Sequence, residues 1–346
     1  MRRSRLLLPA LAVTVAATLA ACGADTAPQA AEPTEGDTLV IYSGRNEALV
    51  DPVLSKLEEA VGVPVEVRYA SSSEMAAQLL EEGDATEADI FFSQDAGALG
   101  ALAKADMLAP LDAAVTDLVP EDYRDAEGRW VATSARARVL AYDPAQVPDI
   151  DSITSIDQIL EPPFTGKIGY APTNASFHAF VTALRVERGE DGAREWLEAF
   201  AEQQPAAYEN NNAVLDAVDG GEVALGLINH YYWFQKVAEL GEDAVDARIH
   251  FLDSDDPGAL VNVAGAGVLA GTDNPEAAAA AIEFLLSEET QQYFADETAE
   301  YPVVEGVTST VHDLVPLSDL DSHQIDLNEL DSLDETLALL DEVGLT

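Results

Sequence analysis

The stretch Gly226-Leu227-Ile228-Asn229-His230-Tyr231-Tyr232-Trp233 decides how the chain is read. The apolar run Val223 to Ile228 reads as a short buried strand, and Phe234 to Leu240 as helix. Two adjacent phenols and a histidine therefore stand where a strand gives way to a helix. In open α/β sheets, ligands bind at that end of the strands. Adjacent side chains diverge along a strand, but a strand-to-helix turn can aim both hydroxyls at one point. Phenolate oxygen is a hard anionic donor and suits a hard trivalent cation. The same residues would equally serve as an aromatic plug in a core, with one hydroxyl hydrogen-bonded. The rest of the chain has to separate the two readings.

At the N-terminus, Arg2, Arg3 and Arg5 precede an apolar stretch, Leu6 to Leu19, that is short for a membrane span. Leu19-Ala20-Ala21-Cys22, followed by Gly23, resembles the lipobox of bacterial lipoproteins. Residues 1–21 are therefore expected to be a signal peptide, with Cys22 carrying lipid and holding the exported chain on the outer face of the cell membrane. Cys22 is the only cysteine, so a lipidated Cys22 leaves no thiol for a disulfide, a cysteine metal site or a cysteine nucleophile. Residues 22–37 are rich in Ala, Pro, Thr, Glu and Gly and are expected to form a disordered tether.

Sixty-four acidic residues against 17 basic ones give a formal net charge of −47, which argues against nucleic acid or an anionic lipid surface as a partner. From Thr38 onward, strands and helices alternate. Strands are expected at Thr38–Tyr42, Val63–Tyr69 and Ala88–Ser93, with helices at Asn46–Val61, Ser72–Glu82 and Ala96–Lys104. A second series comprises strands Val139–Asp143, Ile168–Ala171 and Val223–Ile228 and helices Ser176–Arg188, Ala193–Glu202 and Ala213–Val218. Strands Arg248–Leu252 and Ala259–Leu269 and helix Pro275–Leu286 follow. Such alternation implies an α/β fold with doubly wound sheets, and the length suffices for two lobes.

Five segments then occur in order: Ala88-Asp89-Ile90-Phe91-Phe92-Ser93, Gly169-Tyr170-Ala171-Pro172-Thr173, Leu227 to Trp233, Asp256-Pro257-Gly258-Ala259-Leu260 and Glu300-Tyr301-Pro302. Together they resemble the bacterial ferric-iron-binding proteins, solute receptors of ABC importers, over roughly Thr38 to Val307. The resemblance implies the two-lobe type II periplasmic-binding-protein fold, with lobes joined by two crossing strands. Lobe 1 would be 38–138 plus 262–312, and lobe 2 would be 139–261 plus 313–346. The crossing strands would lie near Ala135 to Arg138 and Val261 to Val263.

The resemblance further implies Fe(III) held by Tyr231 and Tyr232, with carbonate or phosphate as a synergistic anion. Family members often add a histidine and a glutamate from the opposite lobe. Here Asn46 and Gln94 stand at those positions, with Asp95 one residue displaced, as ligands or as residues supporting them. Asn174, Ala175 and Ser176 open a helix whose N–H groups suit an anion, and the family places Asn211 and Asn229 beside it. Arg45, Arg136 and Arg138 are scarce cations that would balance the anion's charge. His230 is assigned a supporting role because the family commonly has a non-ligand there.

No i, i+4 histidine pair, nucleotide-type glycine loop or G-x-S-x-G elbow occurs. The expected protein is a monomeric receptor that captures ferric ion and delivers it to an ABC permease and its ATPase, and it is not an enzyme. The alternatives are the same fold binding another solute, such as an anion or a ferric chelate, and a secreted enzyme.

Overall fold

The computed structural model describes residues 38–253, 256–320 and 325–346. Its strands are β1 (Leu39–Ser43), β2 (Val65–Tyr69), β3 (Ile90–Ser93), β4 (Val131–Tyr142), β5 (Ile168–Tyr170), β6 (Ala206–Ala207), β7 (Leu225–Asn229), β8 (Arg248–His250) and β9 (Val261–Val268). Its helices are α1 (Glu47–Leu54), α2 (Leu57–Val61), α3 (Ser72–Glu82), α4 (Ala96–Lys104), α5 (Ala113–Thr116), α6 (Ala175–Glu202), α7 (Asn211–Asp219), α8 (His230–Leu240), α9 (Pro275–Leu285), α10 (Glu288–Glu297) and α11 (Leu333–Glu342). Cys22, the signal stretch and the tether fall outside the described residues.

The strands join in the order β2-β1-β3-β9-β4-β7-β5-β6, with β8 beside β4. Pairs β1–β2, β1–β3, β5–β6 and β5–β7 are parallel, as expected of strands linked through helices. The middle of the sheet is antiparallel and belongs to β4 and β9. The first half of β4, Val131–Ala137, pairs with β9, and its second half, Arg138–Tyr142, pairs with β7. One continuous strand thus connects the two halves of the sheet.

Three differences from the sequence pattern have physical causes. The pattern predicts a strand only at Val139–Asp143, because Thr133, Ser134, Arg136 and Arg138 interrupt the apolar run. In the structure β4 begins at Val131 and is buried through Ala141, with Ser134, Arg136 and Arg138 each bonded to a partner distant in the chain. The expected helix Asn46–Val61 breaks at Ser55-Lys56, where the bonding tightens to Lys56 N–H on Val53 O at 3.0 Å, three residues past the Pro52 that lacks a donor. The helices expected at Ser176–Arg188 and Ala193–Glu202 run on as α6, jointed at Gly189 with φ 71°.

The hydrophobic interior follows the same division. One cluster gathers Leu39, Ile41, Phe91, Phe92, Trp130, Ile282 and Phe294 around the β1–β3 half. Another gathers Ile168, Phe177, Phe180, Trp196, Phe200 and Leu227 on one face of the other half, and Val139, Val214 and Ile228 pack on its opposite face. The tail is divided between them. Leu327 and Leu330 join the first cluster and Leu339, Leu340 and Leu345 the second, whereas the sequence reading places all of 313–346 on one lobe. The cause is contact with α4. Gly97 and Gly100 give the Asn328 and Leu330 carbonyls room that a Cβ would fill, and Trp130 Nε1 donates to Asn328 Oδ1 at 2.9 Å.

Candidate functional site

Strand β7 ends at Asn229 and α8 starts at His230, so the turn predicted from sequence is where it was expected. It turns Tyr231 and Tyr232 together, with ring centroids 4.3 Å apart and planes inclined by 31°. Both line a cavity of about 120 Å³ with Gln94, Asp95, Arg136, Arg138, Asn174, Ala175, Ser176, Ala179, Asn229, Leu260 and Asn262. Tyr231 is 7% exposed. Burial, and then the neighbouring Tyr232, push its phenol well above the ordinary range, while Arg136 pulls the other way. In the empty site the Tyr231 hydroxyl therefore holds its proton until something cationic replaces it.

Strand alternation in Ala135-Arg136-Ala137-Arg138 puts both guanidiniums on one face of β4. Arg138 is buried, donates from Nη1 to Ser176 Oγ at 3.1 Å and lies 5.6 Å over the Phe180 ring. Burial lowers it to about 10, which leaves it cationic at neutral pH. Arg136 is equally buried and donates from Nη1 to the Gln94 carbonyl. Its Nη2 has no hydrogen-bond partner among the described residues, and neither does Asn229 Oδ1. Buried polar groups are normally satisfied, and these two atoms, both on cavity-lining residues, are suited to bond a polar ligand.

Asn174 caps α6, accepting from Ser176 N at 2.9 Å and Ser176 Oγ at 2.7 Å. The open end of this 28-residue helix, Ala175 and Ser176, faces the cavity beside Arg138. Helix N–H groups, a hydroxyl and a guanidinium together suit an anion.

Three candidates are not among the lining residues. Asn46 is exposed and caps α1, accepting from Ala48 N at 3.0 Å, because an Asn at a strand-to-helix junction satisfies the helix end first. Arg45 is 2% exposed and committed to a bidentate pair with Glu300 at 2.7 and 3.1 Å. Asn211 is buried behind the wall, donating to Ser176 Oγ at 3.1 Å. Gln94 does line the cavity, but its Oε1 accepts from Arg45 Nη1 at 2.8 Å. Asp95 lines it too while capping α4 through Ala98 N at 3.0 Å; burial raises its carboxyl, opposed by that bond and by Arg136.

His230 has both ring nitrogens occupied. Nδ1 accepts from Ala137 N at 3.2 Å and Nε2 meets Ala299 O at 2.8 Å, with the ring stacked on Tyr301 at 4.3 Å. Burial lowers it to about 4, so it is a neutral brace between β4 and the 299–301 segment.

Two functional positions escape the sequence reading. Asn262 lines the cavity from β9, and Glu300 anchors Arg45. Asn262 is legible only as part of a crossing strand, and Glu300 only as one letter of Glu300-Tyr301-Pro302. The cavity shares Gln94, Asp95, Ala175, Ala179 and Asn262 with an adjoining cleft of about 690 Å³ between α3–α4 on one side and α6–α11 on the other.

Comparisons with known proteins bear on the family and the fold. The "Fe(3+)-binding periplasmic protein" of Serratia marcescens is 35% identical over 318 residues, covering 92% of this chain and 93% of its own. The "Major ferric iron-binding protein" of Neisseria meningitidis serogroup B is 33% identical over 321 residues, covering 91% and 95%. Iron-bound HitA from Pseudomonas aeruginosa has the same type II periplasmic-binding-protein architecture, with a TM-score of 0.80 and 33% identity over 89% of this chain and 99% of its own. Residues 85–328 match the family described as bacterial extracellular solute-binding protein, and the chain belongs to that family.

Proposed function

We propose that this receptor captures ferric iron through the phenolates of Tyr231 and Tyr232, with an anion seated between the metal and Arg136, Arg138 and the α6 N-terminus. The observation that carries the reading is the tyrosine pair itself, two phenols with ring centroids 4.3 Å apart in a cavity shared with two buried guanidiniums. Fe(III) replaces two phenolic protons, so the metal with its tyrosines brings one net positive charge to a cavity that already holds two cations. An anion such as carbonate or phosphate offsets that excess, with Asp95 as the acidic side chain at hand. The sequence relatives named for ferric iron support the metal assignment.

In this reading the β1–β3 half and the β5–β7 half act as two lobes that close over the cavity, with β4 and β9 as the crossing strands. Lipid on Cys22 holds the receptor at the outer face of the membrane, and an ABC permease with its ATPase takes the iron on. No enzymatic step is assigned. Among the described residues no helix is long and apolar enough to cross a membrane. A second reading has specific support: the adjoining cleft of about 690 Å³ would hold an organic chelator bound with the iron. Titrating the apo protein with ferric ion, with and without chelator, tests both. A phenolate-to-iron charge-transfer band that needs no chelator supports the first, and a band that appears only with chelator supports the second.

A further inference from the structure

Behind the cavity lies a buried carboxylate that the binding scheme above does not use. Glu300 is 1% exposed. Its oxygens accept from Arg45 Nη2 at 2.7 Å, Arg45 Nη1 at 3.1 Å and Ser134 Oγ at 2.9 Å, and Arg136 Nε lies 3.7 Å away. Burial alone would raise this carboxyl, but Arg45 and Arg136 outweigh it and hold it at about 2. One carboxylate is thus shared by two guanidiniums. Both reach the same wall residue, Arg45 through the Gln94 side chain and Arg136 through the Gln94 carbonyl.

We propose that Glu300 is a positioning residue that sets the charge of the ligand site through Arg136, keeping the cavity receptive to a cation as well as to an anion. With Glu300 ionised, the Arg45–Glu300–Arg136 group carries one positive charge, and Arg138 adds a second. Without it, three buried guanidiniums, two of them lining the cavity and Arg45 behind it, act on a site meant for a trivalent metal. Ferric ion replacing two phenolic protons adds one positive charge and is disfavoured by that change. An incoming anion is favoured by it. Loss of the Glu300 charge therefore drives the two affinities in opposite directions, which a merely structural role would not do, since a loosened site loses both.

The inference rests on the reading of the cavity as an anion-assisted metal site, and its test has an arm that needs no iron. Inorganic phosphate is titrated calorimetrically into the apo protein, and ferric ion is titrated in anion-poor buffer. For Glu300→Gln, phosphate should bind more tightly and ferric ion more weakly, each on the order of tenfold, the scale of one charge at close range in a medium of intermediate dielectric. Arg45→Gln removes a positive charge from the same group and must move both affinities the other way. If Glu300→Gln does not fold, the two shifts in Arg45→Gln decide the matter by themselves. Unchanged phosphate affinity in a folded variant, or a shift of both affinities in one direction, overturns the proposal. Failure of the wild-type protein to bind ferric ion would refute the functional reading, while the phosphate arm would still judge Glu300.

Discussion

Replacing Tyr231 and Tyr232 by phenylalanine removes two oxygens and almost nothing else. Both rings stay, so their 4.3 Å contact and the T-shaped contact of His230 with Tyr231 stay too. The stability cost is at most about one hydrogen bond per site, ~1 kcal/mol each. If the residues were only an aromatic plug, that would be the whole effect. If they are the metal's donors, each single change should weaken ferric binding by at least about 100-fold, since even the outer hydrogen-bond partners of metal ligands cost ~10–100-fold. Each single variant should also shift the visible band, and the double variant should lose it. The pH dependence adds an independent check. Tyr231 holds its proton in the empty protein because burial raises its phenol. Iron must displace one proton from each tyrosine, so the logarithm of affinity should fall by about two for each unit of pH lost. The assay is a ferric titration followed by absorbance, with thermal unfolding as the control for folding. A folded Tyr231→Phe/Tyr232→Phe protein with the wild-type band and affinity would refute the argument outright.

Other consequences follow from the same geometry. Arg138→Gln removes the cation that reaches Ser176 and should weaken phosphate binding on the order of tenfold, the worth of a charged hydrogen bond; calorimetry on the apo protein measures it. Cys22→Ala should release a folded, binding-competent receptor from cell membranes, and its retention after a high-salt wash would contradict a lipid anchor. His230, at about 4 in the fold against an ordinary value near 6.5, is buried neutral. Its contribution is full above pH ~6.5 and is lost as pH falls toward ~4, because the unfolded chain takes up the proton first; the loss amounts to roughly 3 kcal/mol. His230→Gln, which can still pair with Ala137 N and Ala299 O, should flatten the denaturant-measured stability curve across that window.

The parts of the fold legible in the sequence are those written in local pattern. The α/β alternation, the strand ending at Asn229 and the helix opened by Asn174 each follow from periodicity or capping chemistry within a few residues. The first half of strand β4 is illegible in periodicity, and only the resemblance places a crossing strand near Ala135 to Arg138, because its pattern is not local: Ser134, Arg136 and Arg138 are polar letters in a buried strand, and their partners lie far along the chain. Glu300 is hidden for the same reason, standing 255 residues from Arg45 in sequence and 2.7 Å from it in space. Asn46 shows the converse case. Family position suggests a donor, but the local demand of the α1 terminus takes the side chain outward. Tyr231 and Tyr232 are legible because adjacency at a strand-to-helix turn is itself the geometric requirement.

The energetics of the wall bear on why the site exists in this form. Burying Arg136 and Arg138 costs desolvation that ion pairing seldom fully repays. Arg45 and Ser134 are matched to Glu300, and Arg138 has Ser176 and the Phe180 ring, but Arg136 Nη2 and Asn229 Oδ1 are left without protein partners among the described residues. A buried polar atom left without any partner costs about 1–3 kcal/mol. A chain selected for stability alone would have apolar side chains at these positions. Arg136 and Asn229 both line the cavity between the tyrosines and the α6 N-terminus, where, on the proposed reading, a metal with its anion would supply both the acceptor that Arg136 lacks and the charge that the phenolates balance. The ligand therefore relieves a cost that the empty protein carries, and the melting temperature should rise with ferric ion and phosphate together by more than the sum of their separate effects.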